Sequence, residues 1–248
     1  MAKNSLSLVF LIVIVLAVTV AAQDDEVPWN LPGADDYPRI SDSAKTCRDF
    51  APKGWRVMKV AEGDLNKDMR ADCVLIVHGR NSKFVYKNDS FGTKEFDTNP
   101  RILVVAFRDA GRFRLVEQNN SFIINAYSPT MTEPLQDVEI KNGVLRFYFE
   151  EFYSMGTYSM ATRKYVFRFQ EGELALIGAD KTETHRASGE IETRSYNFST
   201  GRMSIENGRI DDNGRGKVRW AGAPSIERKT LKTAPPPMTW EIEPDYFL

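Results

Sequence analysis

One short stretch of the chain gathers side chains that could hold a cation. After Gly63, carboxylate or amide oxygens stand at loop positions 1, 3, 5 and 9, which are Asp64, Asn66, Asp68 and Asp72. Oxygen ligands of this type suit a hard cation such as calcium. The spacing therefore predicts a calcium loop. The alternative is a loop of Asx turns, in which the same oxygens accept backbone N–H groups without a metal.

A second polar cluster lies farther along the chain and contains His185, Arg186, Ser188 and Glu190. Histidine titrates near neutral pH, and arginine binds a carboxylate or a phosphate through its forked guanidinium. These residues are the candidates for a second polar site, such as that of a hydrolase. The alternative is a turn whose polar groups satisfy one another and the backbone.

Other catalytic signatures do not occur in the sequence. Ser188 does not lie in a G-x-S-x-G motif, and the two histidines, His78 and His185, lack the H-E-x-x-H spacing of a zinc site. The formal net charge of −1 provides no basic field for nucleic acid and no polybasic patch for a membrane. The sequence therefore favours a binding protein over an enzyme and assigns no catalytic residue.

Residues 1–22 have the features of a signal peptide. Lys3 precedes an apolar run over residues 6–20, and Ala21 and Ala22 supply the small residues of a cleavage site. The alternative is an uncleaved anchor, which would be the only attachment to a membrane. We expect an exported protein of the periplasm or the extracellular space.

The two cysteines fit an oxidising compartment, where thiols can pair. Cys47 and Cys73 are 26 positions apart. A disulfide between them would stabilise the fold by roughly 3 to 4 kcal/mol through loop-closure entropy. The alternative is two separate buried thiols that pack as small apolar side chains.

The remaining chain divides into three parts. Residues 23–40 are acidic and carry three prolines, which predicts an extended arm. For residues 41–233 we expect a single β-rich domain that begins with a short helix over residues 41–50. Residues 234–248 predict a Pro-rich C-terminal tail of polyproline type.

The apolar pattern after residue 50 predicts strands. Strands over residues 55–60 and 73–77 flank the acidic loop, and the second is continuously apolar and so buried on both faces. Three hairpins follow, with their turns at residues 109–111, 142–143 and 171–172. The predicted fold class is all-β, built from consecutive antiparallel hairpins as a sandwich or a propeller-like fragment.

Two polar regions interrupt the strand pattern. Residues 80–99 predict a long surface loop. Residues 179–215 are rich in Gly, Ser and Asn, and the pairs Asn207-Gly208 and Asn213-Gly214 predict turns there.

The acidic loop with its two flanking strands, over residues 55–77, resembles one FG-GAP/VCBS-type repeat. In that family such loops bind calcium between strands of β-propeller blades. The resemblance implies that the side chains of Asp64, Asn66, Asp68 and Asp72 are ligands, together with the backbone carbonyl of Arg70.

Met69 stands where that family usually has glycine. The position favours a left-handed backbone, which costs a non-glycine residue roughly 1 kcal/mol. Only one such loop occurs in the chain, whereas a propeller repeats it.

A broader resemblance extends over the mature chain. The sequence looks like a family of uncharacterised exported bacterial proteins in six motifs: Asn99-Pro100-Arg101 and residues 154–158, 165–169, 176–178, 185–189 and 195–201. The resemblance implies export and a single domain, and it implies no activity.

These observations lead to one main hypothesis for function. It is an exported, non-catalytic β-domain with a structural calcium loop that binds a protein or a glycan at the cell envelope. One alternative is a hydrolase that uses His185 or Arg186 with loop carboxylates. Another is an inhibitor or immunity-type protein that blocks a secreted enzyme.

Overall fold

The computed structural model describes residues 29–213 and 216–248. The predicted signal peptide and the first residues of the acidic arm lie outside this part of the chain. Within it, the all-β class is confirmed, because antiparallel strands dominate and the helices are short 3-10 segments. None of the helices in the described ranges is long and apolar enough to cross a membrane.

The strands form two main sheets and two small hairpins. In chain order they are β1 (Ser43–Ala44), β2 (Arg56–Gly63), β3 (Asp72–His78), β4 (Val85–Lys87), β5 (Glu95–Asp97), β6 (Arg101–Asp109), β7 (Arg112–Asn119), β8 (Leu135–Lys141), β9 (Val144–Glu151), β10 (Ser159–Gln170), β11 (Glu173–His185), β12 (Glu190–Asn197), β13 (Arg202–Arg209), β14 (Gly216–Gly222), β15 (Glu241–Glu243) and β16 (Tyr246–Phe247). The 3-10 helices are Ala34–Asp36, Cys47–Phe50, Ser82–Phe84 and Ile210–Asp212.

The first main sheet has five strands in the order β1-β7-β6-β3-β2. Its interior strand β3 is buried along its whole length, as the continuous apolar run predicts. Val74 and Ile76 face the second sheet, while Leu75 and Val77 face the N-terminal segment that contains Ile40. The five-stranded sheet is therefore covered on both faces.

The second main sheet has seven strands, β8 to β14, each paired antiparallel with the next. The turns predicted at residues 109–111, 142–143 and 171–172 are confirmed. Each turn contains two successive residues with positive φ, such as Asn142 (56°) followed by Gly143 (71°). Such pairs match the right-handed twist of the strands they join.

Phe122, which follows β7, packs in the core between the two sheets. Its ring meets four aromatic rings of the seven-stranded sheet edge to face, at centroid distances of 5.1 Å to Phe147, 6.0 Å to Phe149, 5.4 Å to Tyr165 and 5.3 Å to Phe167. Edge-to-face contacts are favourable beyond the area they bury. Face-to-face packing of the sheets corresponds to the sandwich alternative of the sequence prediction.

The helix predicted over residues 41–50 is wrong for most of its length. Ser43–Ala44 instead pair with β7 as a short edge strand, and only Cys47–Phe50 are helical, as a 3-10 turn. A helix this short gains too few hydrogen bonds to offset the cost of its nucleation. The prediction of one disulfide is confirmed, because Cys47 in that turn is bonded to Cys73 of β3 across a Cα–Cα distance of 6.0 Å.

The surface loop predicted over residues 80–99 contains regular structure. The strands β4 and β5 pair as a hairpin, and Phe96 on β5 is buried. Trp29 from the predicted acidic arm packs edge-on against Phe96 at 4.8 Å. The hairpin is too short for the period-two pattern to reveal it, and it is held by contacts distant in sequence.

Of the two turns predicted within residues 179–215, the one at Asn207-Gly208 is wrong. Strand β11 continues to His185, and β12 and β13 follow it. Asn207 and Gly208 lie inside β13 and pair with β12 and β14, whereas Asn213 adopts the left-handed conformation of a turn. Strand pairing on both sides outweighs the local preference of an Asn-Gly pair for a turn.

The predicted Pro-rich tail is part of the folded core. Its last residues form the β15–β16 hairpin, and Ile242, Tyr246 and Leu248 are buried against the seven-stranded sheet. Residues 234–248 thus contribute buried side chains to the main core.

Two buried titratable groups have shifted pKa values in opposite senses. Burial raises the pKa of Glu117 on β7 from its ordinary value of 4.5 to about 7, although the charge of Lys232 partly opposes this. Burial, together with the charge of Arg101, lowers the pKa of His78 from 6.5 to about 4. The ring of His78 is neutral at pH 7, and its Nδ1 accepts the Nε–H of Arg56 at 2.9 Å.

We expect Glu117→Gln to reveal the acid sensitivity that His78 confers. A raised carboxyl pKa reduces stability as the pH increases from about 4.5 to 7, whereas a lowered histidine pKa reduces stability as the pH decreases from about 6.5 to 4. Each slope is at most about 1.4 kcal/mol per pH unit, so the two oppose each other over most of this range. The variant should gain stability from about pH 5 to 6.5 and exceed the parent above about pH 7.

Urea unfolding at closely spaced pH values measures this difference. Glu62→Gln, which neutralises an exposed carboxyl on β2, is the control and should leave the profile of the parent unchanged. Parallel profiles for the parent and Glu117→Gln would contradict the expectation.

Candidate functional sites

The acidic loop lies between β2 and β3 and packs against the β8–β9 hairpin. A Cβ at Gly63 would lie 2.6 Å from Cγ2 of Ile140, so only glycine allows β2 to approach β8 so closely. Leu65 inserts into the core and is 1% exposed. The loop is therefore anchored at its start by glycine and leucine.

Asp72 fastens the loop to the neighbouring strands. Its side chain is fully buried and accepts three backbone N–H groups, from Leu65 at 2.8 Å, Asn66 at 3.3 Å and Arg108 at 3.0 Å. Burial raises the pKa of Asp72, and these hydrogen bonds oppose the rise. The carboxylate links the loop to β6 as well as to β3.

The other loop oxygens turn inward to the backbone of the same loop. Asp64 accepts the N–H groups of Asp68 (3.1 Å) and Met69 (2.9 Å), Asn66 accepts that of Asp68 (3.0 Å), and Asp68 accepts that of Arg70 (2.9 Å). The contacts of Asn66 and Asp68 each span two residues and are Asx turns, whereas those of Asp64 span four and five residues. All of them satisfy backbone N–H groups without a metal. Met69 has a φ of 65° and is 94% exposed, which confirms that its position requires the left-handed conformation.

The oxygen chemistry of the loop can be compared with the needs of a cation. Each side-chain oxygen of Asp64, Asn66 and Asp68 accepts one hydrogen bond, which leaves it a lone pair for a hard cation. One oxygen of Asp72 accepts two hydrogen bonds and the other accepts one. Across the described ranges, no group of three or more His, Cys, Asp or Glu side chains is arranged to hold a metal ion. The first three residues fit a cation by type, and Asp72 fits a structural anchor better.

The second predicted cluster is only partly brought together. In the turn between β11 and β12, the Ser188 hydroxyl lies 2.9 Å from Nδ1 of His185 and 3.0 Å from Oε2 of Glu190. The backbone N–H of Ser188 also points to Nδ1 of His185, at 3.1 Å. Because Nδ1 of His185 accepts the backbone N–H of Ser188, the imidazole stabilises the turn.

Arg186 points away from this cluster. Its guanidinium donates to the carbonyls of Thr157 (2.7 Å) and Tyr153 (3.3 Å) and lies over the ring of Phe152. It therefore holds the loop over residues 154–158, one of the motifs of the broader resemblance. Asn99, in another of these motifs, is fully buried and holds the backbone of Asn81. Both motifs have structural roles.

The seven-stranded sheet extends beyond the core and forms a concave surface there, with a cavity of about 1040 Å³. The concave surface is lined by polar side chains in rows across the strands: Glu183, His185, Glu190, Glu192, Asn207, Arg209, Lys217 and Tyr246. Ion pairs of Glu192 with Arg194 (2.8 Å) and of Glu183 with Lys181 (3.0 Å) border it on the core side.

Of the residues that line the concave surface, only His185 and Glu190 are candidate site residues in the sequence. Charged residues alternate with other residues at Lys181, Glu183 and His185, and again at Glu190, Glu192 and Arg194. That period-two pattern is typical of strands with one polar face. It was masked by the turn-favouring composition of the region.

We expect Asp72→Asn to destabilise the fold by about 1 to 3 kcal/mol, because an amide nitrogen would face a backbone N–H in a buried site. The loss should appear in the free energy of unfolding measured with urea, with or without calcium. Asp109→Asn is the matched control. Its carboxylate is 66% exposed and lies 3.9 Å from Arg70, so its loss should stay within about 0.5 kcal/mol. Equal effects of the two substitutions would contradict the anchoring role.

Comparisons with known proteins assign no function to these sites. No family model, curated protein or solved structure matches the sequence. The resemblances to FG-GAP/VCBS-type repeats and to exported bacterial proteins stay predictions.

Proposed function

We propose that the protein is an exported, non-catalytic β-domain that binds a protein or a glycan at the cell envelope through the concave surface. The observation that carries the proposal is the overhang, the part of the seven-stranded sheet over β12 to β14 that extends beyond the core. It presents a large open cavity, lined mainly by charged and polar residues, on an antiparallel ladder. Ligand sites are concave and carry a small number of well-placed polar groups. The acidic and basic side chains that line the concave surface could form hydrogen bonds and ion pairs with a polar partner.

In the same proposal, the acidic loop binds a structural calcium ion. Asp64, Asn66 and Asp68 would hold calcium, which would neutralise carboxylates crowded within one turn of chain. The resemblance also implies the Arg70 carbonyl and Asp72 as ligands. The loop packs against the β8–β9 hairpin, at the opposite edge of the seven-stranded sheet from β12 to β14, so calcium would stabilise the domain and take no part in recognition.

A hydrolase is the second candidate. It is favoured by the contact of the Ser188 hydroxyl with both His185 and Glu190. In a hydrolase triad, however, the histidine stands between the nucleophile and the carboxylate. Here the Ser188 hydroxyl lies between His185 and Glu190, so the carboxylate does not orient the histidine as a base for the serine.

Calcium binding is tested by Asp68→Ala. The substitution removes one ligand and one charge, so the melting temperature should decrease more in calcium than in chelator. At free calcium about 100 times the dissociation constant, binding adds roughly 2.7 kcal/mol to stability. Asp89→Ala, at an exposed acidic position in the β4–β5 hairpin, is the control and should lose equally little in both conditions. Equal losses for Asp68→Ala in calcium and in chelator would exclude a calcium site.

Partner binding is tested by exchanging charges on the concave surface. Glu190 and Arg209 are cross-strand partners, so the double variant Glu190→Lys/Arg209→Glu keeps the net charge. Lys87 and Glu95 are also cross-strand partners, in the β4–β5 hairpin, and Lys87→Glu/Glu95→Lys is the matched control.

The parent and the two variants are used to capture partners from envelope proteins and from an array of envelope glycans. The first variant should lose the ligand that the parent and the control retain. Retention by all three would contradict the proposal. Ester, glycoside or phosphate hydrolysis that is lost in Ser188→Ala would favour the hydrolase instead.

A further inference from the structure

Strand β14 is the free edge of the seven-stranded sheet. It pairs with β13 on one side, and no described strand pairs with its other side. The opposite edge, β8, lies against β2, where Nζ of Lys59 donates to the carbonyl of Gln136 at 2.6 Å. In the five-stranded sheet, the edge strand β1 has only two residues. Among the described strands, β14 is thus the longest edge that no other strand covers.

The side chains of β14 alternate between two chemistries. Val218 and Trp220 point to the outer face of the sheet and are 51% and 64% exposed. Lys217 and Arg219 point to the opposite face, where their neighbours on β13 are the uncharged Asn207 and Ile205. Among the described residues, neither of these two basic side chains forms an ion pair.

The alternation of basic and apolar side chains on β14 indicates the sequence of a strand that could pair with it. Directly opposed residues on antiparallel strands point to the same face, and opposite charges there attract. A complementary strand would place acidic side chains against Lys217 and Arg219, and apolar ones against Val218 and Trp220. Basic residues on an edge also repel a like strand. Pairing of the full strand with a second copy would centre on Arg219 and set two guanidinium groups against each other.

We propose that β14 binds an extended peptide segment, with alternating acidic and apolar side chains, by strand addition. Backbone hydrogen bonds to the free edge would supply affinity, and the alternation of the side chains would set the register. This interaction goes beyond the proposed role of the concave surface. It identifies the edge of the sheet, which shares only Lys217 with the concave surface, and a protein rather than a glycan as its ligand.

A fluorescently labelled, capped peptide of alternating Val and Glu is the probe, and its anisotropy is measured against the purified protein at physiological salt. Arg219→Glu should weaken binding at least tenfold, and Lys217→Glu/Arg219→Glu should bind the corresponding Val-Lys peptide better than the parent does. Arg112→Glu/Arg114→Glu, on exposed positions of β7, is the control and should stay within twofold of the parent. A Val-Glu peptide methylated on alternate backbone nitrogens should not bind.

Several results would overturn the inference. They are absence of binding by the parent up to millimolar protein, equal losses in the β7 control, and unchanged binding of the methylated peptide. A dimer in sedimentation that the peptide does not dissociate would assign the edge to a second copy. Arg219 does not line the concave surface, whereas Lys217 does. Arg219→Glu alone therefore separates failure of this inference from failure of the proposed function.

Discussion

The contact of Phe122 with four aromatic rings is the interaction on which the rest of the architecture depends. It fixes one half of the seven-stranded sheet, through β9 and β10, against the five-stranded sheet. The C-terminal hairpin covers the next strands with Tyr246 and Leu248. No described element covers the far ends of β12 to β14, so the sheet overhangs its own core. Both binding surfaces that we propose lie on this overhang.

Buried polar groups hold the five-stranded sheet at both ends of β6. Asp72 binds the backbone of Arg108 near one end, and Arg101 at the other end forms a bidentate pair with Glu133 at 2.6 and 2.7 Å. Arg101 is buried whereas Glu133 is 46% exposed, so removing Glu133 would leave a costly buried charge without its partner. In this sheet, polar residues that look most like chemistry in the sequence therefore serve the fold. The polar residues of the overhang remain open to a ligand.

The sequence alone was sufficient for the strands whose signals are local. The burial of β3 follows from its apolar run, and the Asn142-Gly143 turn follows from the backbone preference of that pair. The left-handed conformation of Met69 follows from the glycine that the resemblance places at its position. It was not sufficient where pairing is decided by distant segments. Phe96 is buried by Trp29, and Asn207-Gly208 is held straight by its neighbours on β12 and β14. For the sites, sequence located His185 and Glu190 but not the charged rows to which they belong, because those rows form only when four strands align.

The overhang also connects recognition to stability. Strands β12 to β14 contribute few side chains to the core, and β14 is exposed along most of its length, so their stability rests mainly on the hydrogen-bonded ladder and on cross-strand pairs. Such a region has the lowest free energy of local opening in a fold of this kind. A ligand that binds only the ordered strands shifts that equilibrium toward order by mass action. A partner on the concave surface and a peptide on β14 would order the same three strands, so each would favour binding of the other through this ordering.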